Sequence, residues 1–229
     1  MNLIKEQRSI GIITILSGLI ALACIILTLI AVNFNIDALS DPVLVLSTVG
    51  TNSVAARWSM ISDMFGYYLL LLPIIYLFHD WMKEKSAWNN LVTFSGVAYV
   101  LIGSIGASIL AVVWPNIMDA FHSANVTEQQ ILTANFKLIN DAVYSGLWNL
   151  LEMSFAAVWW IFIGYQLQKN EFKYIGWLTI STGISCLGDT VAGILQFDTL
   201  HEVSLNIYLS LAIVWAIVIG IFIMRKKLK

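Results

Sequence analysis

Apolar residues run along this chain in six long blocks, at 10–32, 58–78, 91–113, 143–167, 174–195 and 205–224, with polar residues gathered between them. Each block has the roughly 20 residues that an α-helix needs to cross a hydrocarbon core of about 30 Å. None shows the alternation over about 10 residues that marks a barrel strand. The expected fold is therefore all-α: a polytopic membrane helical bundle of six transmembrane helices, forming one domain over residues 1–229. Composition strengthens this, since 59% of residues are hydrophobic and 11% charged, where a soluble domain carries about 25% charged residues. Mean hydropathy is +0.82.

Basic residues orient the bundle, because short loops rich in Lys and Arg stay in the cytoplasm. Lys5, Arg8, Lys83, Lys85, Lys169, Lys173, Arg225, Lys226, Lys227 and Lys229 fall at the termini and in the even-numbered loops. The odd-numbered loops hold only Arg57 and Lys137. Both termini are thus expected in the cytoplasm, with the basic tail against anionic headgroups. The first block is too long for a signal peptide and is read as a retained span. A net charge of −2 says little about partners because the charges are segregated by side, and no basic stretch is long enough to point to nucleic acid, which is not expected as a partner. Cys24 and Cys186 fall mid-span, as small packing residues do.

The connections are unequal. Inner loops at 79–90 and 168–173 leave no room for a catalytic domain, and no P-loop occurs. In the outer loop at 33–57, Asp41 can cap and Pro42 begin a short helix over 43–49, which Gly50 ends. Trp114-Pro115 is expected to end the third span. Thr127 and Gln130 read as a capping box from which the fourth helix runs into the membrane, so this helix should project outside. Asn125-Val126-Thr127 also fits a glycosylation sequon. Gly96, Gly103, Ser104, Ala107 and Ser108 give the third span a close-packing face, more in keeping with intramolecular contacts than with a dimer seam. Trp81, Trp88, Trp114, Trp177 and the Trp159-Trp160 pair are expected at the interfaces as belt residues.

Three carboxylates interrupt the blocks: Asp63 in the second, Glu152 in the fourth and Asp189 in the fifth. Charge inside a membrane is costly and usually functional, which makes these the first candidates for a site. Counting inward from Arg57 and from Gln196 at about 1.5 Å per residue places Asp63 and Asp189 in the outer half, with Glu152 deeper. Ser145, Asn149 and Glu152 share a helical face, and so do Ser181, Ser185 and Asp189. Ser59, Ser62 and Gly66 accompany Asp63. These stripes should meet inside the bundle, with helices two, four and five as mutual neighbours. Arg57, His122, His201 and Glu202 would ring the mouth above. A carboxylate can also merely bond a polar neighbour and fix helix order. Imidazole with carboxylate suits zinc or manganese, but His122 and His201 stand in separate loops without the His-Glu-x-x-His spacing, and no metal is assigned. His79 at an inner helix end carries no assigned chemistry, and no Gly-x-Ser-x-Gly elbow supports a serine nucleophile.

The stretch from Ala56-Arg57-Trp58-Ser59 through Ser62-Asp63 to Tyr76-Leu77-Phe78 resembles the second span of a set of bacterial six-span integral membrane proteins grouped as a domain of unknown function. Trp159-Trp160-Ile161-Phe162-Ile163-Gly164 and Gly176-Trp177 are similar to its fourth and fifth spans. The resemblance implies a six-span fold in a bacterial plasma (inner) membrane and brings no activity or cofactor with it.

The leading expectation is an outward-facing acidic pocket that binds or transports a small molecule or cation. Asp63, Glu152 and Asp189 would form it, with Asn149, Ser145, Ser185 and Arg57. The architecture also looks like that of the substrate-capture subunits of vitamin transporters. An intramembrane enzyme acting on lipid and a non-catalytic accessory or sensor subunit are the alternatives. Besides the lipid bilayer, a second copy or a partner subunit is an expected associate, because three spans per half make a small carrier.

Overall fold

A computed structural model describes residues 3–225, which form helices and their connections with no strand among them. The tail lysines Lys226, Lys227 and Lys229, used in the charge argument, lie outside the described residues. Six helical rods are long and apolar enough to cross a membrane. The first is α1 (Leu3–Ala31) and the second joins α4 (Ser53–Asp63) to α5 (Leu72–Met82). The third is α6 (Asn89–Ser123), and the fourth joins α7 (Val126–Asn140) to α8 (Met153–Lys169). The last two are α9 (Lys173–Leu195) and α10 (Asp198–Arg225). They close into a ring in which α1 packs on α10, α10 on α9, α9 on α8, α8 on α6, α6 on α4 and α5, and α4 on α1. The second rod thus packs on the first and third. It meets the fourth through side chains across the centre, Tyr68 to Glu152, and is not the neighbour of the fourth and fifth that the sequence suggests.

Short helices α2 (Asp37–Ser40) and α3 (Pro42–Ser47) follow the first rod, and α3 packs against α6 and α7 at the end opposite the termini. As expected, Asp41 caps α3, its Oδ1 accepting from Val43 N at 3.0 Å; the helix ends at Ser47 with Thr48 as its cap, before Gly50, which takes a left-handed φ of 79° in the connection beyond. Two other expectations at this end are corrected. Pro115 does not stop the third span, which runs on to Ser123. The capping box is Asn125 with Glu128, side chain to backbone in both directions, two residues before the box read at Thr127. The fourth rod does extend over Val126–Lys169, 44 residues, about twice what a bilayer core requires.

Two rods leave regular α geometry. Pro73 at the start of α5 lacks the N–H that an uninterrupted helix would use, so it begins a new helix instead of continuing the old one. Between α4 and α5 the chain makes a π turn (Met64–Tyr68) and a 3-10 turn (Leu69–Leu71), with Tyr68 at φ −128°, ψ −82°. Backbone groups freed inside a membrane need partners. Here Ser17 Oγ donates to Gly66 O, and Tyr99 Oη donates to Tyr67 O at 2.6 Å. In the fourth rod, Asp141–Glu152 is π-helical throughout.

The tryptophan expectation needs revision. Trp88 and Trp177 are exposed as belt residues should be, whereas Trp81, Trp114, Trp159 and Trp160 are buried. Trp159, Trp160 and Trp215 interlock edge to face, with Trp160 and Trp215 centroids 4.3 Å apart, and Trp215 Nε1 donates to Thr179 Oγ1 at 2.8 Å. Burial of such large rings, not interface anchoring, positions them. Gly96 accepts the edge of Trp159 and Gly103 the ring of Tyr68, so these glycines serve intramolecular packing. His79 ties α5 to α6: its Nδ1 lies 2.8 Å from Thr93 Oγ1, and Asn89 Nδ2 donates to its carbonyl at 3.0 Å.

Orientation has a direct test. Ser123 and Glu202 are exposed at the α3–α7 end and Glu84 at the other, while both native cysteines are buried. Single cysteines at Ser123 and Glu202 are expected to react with an impermeant maleimide on intact cells. One at Glu84 should react only after lysis, and the reverse pattern would invert the bundle.

Candidate functional site

Glu152 closes the π segment of the fourth rod and is fully buried. Tyr68 Oη donates to its Oε2 at 3.0 Å, and Oε1 has no hydrogen-bond partner. Tyr68 reaches this position because the broken second rod turns it inward and Gly103 leaves a socket for its ring. A Cβ on Gly103 would come within 2.0 Å of Tyr68 Cε1. The Tyr99 ring packs edge-on against Tyr68 at 5.5 Å, and its hydroxyl shares a 2.9 Å hydrogen bond with Tyr208. Asp63, the last residue of α4, is buried with Oδ2 unpartnered. Glu152 lies within electrostatic reach of both Asp63 and Asp189. Second, third, fourth and sixth rods therefore deliver polar groups to one place in the bundle core.

Nearer the α3–α7 end a second group forms. Asp189 on α9 is fully buried, and its Oδ1 lies 2.7 Å from His201 Nδ1 on α10, a close approach without the alignment of a full hydrogen bond. The other ring nitrogen, Nε2, is 3.1 Å from Asn149 Nδ2. Thr190 Oγ1 donates to the Asn149 carbonyl at 3.3 Å, joining α9 to the π segment. A carboxylate beside Nδ1 favours the proton there, which leaves Nε2 to accept from the asparagine amide. Asn149 and His201 line a cavity of about 500 Å³, with Ser145, Gln196 and Asp198 around its polar side.

The candidates read from sequence divide accordingly. Asp189 and Asn149 meet through His201, with Ser145 on the same cavity wall. None of the three carboxylates lines the cavity as the sequence suggests: Asp189 reaches it through His201, while Glu152 and Asp63 stay in the core behind it. Ser185 does not join: it donates to Ser181 O at 3.0 Å on its own helix. Asp189 shares its buried stripe with Thr182 and Cys186, not with the exposed Ser181. Arg57 is exposed on α4, outside the cavity wall. His122 is exposed at the end of α6, its ring edge near Phe121. Among the described residues no three His, Cys, Asp or Glu side chains converge to hold a metal ion. The tyrosines were the missed members, although Tyr67-Tyr68 four and five residues after Asp63 was the available signal.

Comparison of the chain with protein families, with curated proteins and with solved structures returns no match.

Proposed function

We propose that this protein, set in a bacterial plasma membrane with both termini inside, binds a small molecule or cation from the outer side and transports it. The observation that carries the reading is the Asp189–His201–Asn149 chain at the cavity floor, with Glu152 and Tyr68 in the core behind it. Buried carboxylates with unsatisfied oxygens supply attraction for a cation and places for protons. Interrupted helices beside such groups recur in carriers, because their backbone can change arrangement without exposing an edge to lipid. A second copy or a partner subunit completes so small a carrier.

The test is ligand-linked stability of the purified protein in lipid nanodiscs at pH 7, using sodium, methylammonium and choline as probes. A ligand at 100 times its Kd stabilises by about 2.7 kcal/mol, which raises Tm by about 5–10 °C for a chain of this size. At least one probe is expected to do so, and Asp189→Asn is expected to lose the rise. No shift with any probe, or an equal shift in Asp189→Asn, would overturn the proposal.

A second reading rests on the same pair. A carboxylate-held imidazole beside a cavity is also the arrangement of a general base, able to activate water on a lipid ester once Asn149 Nδ2 turns away from Nε2. Release of a water-soluble product from nanodisc lipid by the wild type, lost in His201→Gln, would favour this intramembrane enzyme.

A further inference from the structure

Two exposed apolar stripes flank the cavity. On α9, exposed Ile184, Leu187, Val191 and Ile194 follow one another at three- and four-residue steps, and Ile194 is also a cavity wall. On the fourth rod, exposed Leu150 and Leu151 belong to the outer surface, and Leu150 is another cavity wall. Gly193 lies between, with nothing within 4 Å of where a side chain would begin. These exposed apolar residues edge the cavity, while Asn149, His201 and Asp198 give it a polar side. A purely hydrophilic ligand would have to pass the apolar frame.

The polar side offers acceptors. With its amide N–H turned to His201, Asn149 leaves Oδ1 as an acceptor in a residue that lines the cavity. Asp198 adds an exposed carboxylate, and no Lys or Arg lines the cavity. Three N–H donors and a positive charge are what such a wall best receives. A phosphate or sulfate head brings no donors and meets Asp198 with like charge.

We propose that the ligand is a long-chain primary amine that enters sideways from the outer leaflet, its ammonium on Asn149 and Asp198 and its chain between Leu150 and Ile194. This rests on the cavity being the ligand site. Membrane partitioning favours such a ligand about fourfold for each methylene.

The experiment uses decylamine carrying a diazirine at the chain end, irradiated with the full-length protein in phosphatidylcholine nanodiscs. Adducts are expected at 150–151 and 191–195, suppressed by excess decylamine. Decyltrimethylammonium, decyl sulfate and methylammonium should each need at least tenfold more, compared at equal membrane concentration for the two decyl compounds. Leu150→Trp, a surface change that narrows the entrance, should cut labelling at least tenfold. Asn149→Asp, which keeps an acceptor, should retain it, and Asn149→Leu should lose it. Equal competition by decyltrimethylammonium or by added phosphatidylethanolamine would overturn the free-amine head. Methylammonium competing as well as decylamine would overturn lateral entry and leave the cavity as the ligand site. Failure of every compound to protect the cavity would overturn both readings.

Discussion

Gly66→Ala is expected to lower the melting temperature by about 10 °C or more. A Cβ at Gly66 would stand 2.4 Å from Ala21 N, 2.7 Å from Ala21 Cα and 2.9 Å from Ile20 C. All three are backbone atoms, so no rotamer change relieves the contact, and α1 must move away from the second rod. That movement also separates Ser17 Oγ from Gly66 O, removing the partner of a carbonyl in the π turn. Overpacking alone costs about 1–3 kcal/mol, and a buried acceptor left unsatisfied adds about as much. Gly146→Ala is the control, because nothing lies within 4 Å of its Cβ direction. It should hold the melting temperature or raise it slightly, since alanine favours helix by up to about 1 kcal/mol over glycine. A Gly66→Ala protein melting within 2 °C of wild type would mean that α1 does not pack on the π turn as described.

Hydropathy made the six rods legible because it reports what lipid can tolerate, and lipid tolerance is set residue by residue. Asp41-Pro42 announced α3 for a similarly local reason: an acceptor before a residue without an N–H has one favoured use. Hydropathy carries no information on ring order. The second rod lies beside the first and third, and Tyr68, not helix adjacency, links it to Glu152. The polar stripes were read at 3.6 residues per turn, but Asp141–Glu152 bonds i to i+5. Ser145 is exposed as a result, while Asn149 and Glu152 are buried. No proline or glycine pair marks that change of pitch.

Proline misled in one place and was overlooked in another. Pro115 sits within the continuous α6, whereas Pro73 begins a new helix after a real break. A proline removes one donor in either setting, but in the second rod the change of pitch also frees the carbonyls of Gly66 and Tyr67, which other groups must serve. In the second rod, Ser17 and Tyr99 do so. Those partners come from other rods, distant in sequence. The capping box shifted for a simpler reason, since Asn125 with Glu128 and Thr127 with Gln130 satisfy the same rule and only the direction of the incoming chain chooses between them.

Glu152→Gln is expected to leave the bundle folded, with a melting temperature within a few degrees of wild type, while removing the ligand-induced rise in Tm and its dependence on pH between 5 and 8. The amide keeps an oxygen for Tyr68 Oη, so the 3.0 Å bond that joins the second rod to the fourth survives. What disappears is ionisation at the point where the influences of Asp63 and Asp189 overlap. Glu152→Leu separates the two roles, because it removes the acceptor as well. Tyr68 Oη would then be buried without its partner, a loss of about 1–3 kcal/mol that Glu152→Gln does not incur. If Glu152 only fixes helix order, Leu lowers the melting temperature while Gln changes neither stability nor the response to ligand. If Glu152 serves the cavity through its charge, Gln alone suffices to abolish the response. Equal ligand-induced stabilisation of wild type and Glu152→Gln at every pH would confine the site to Asp189, His201 and Asn149, and Glu152 would then be a packing group held by Tyr68.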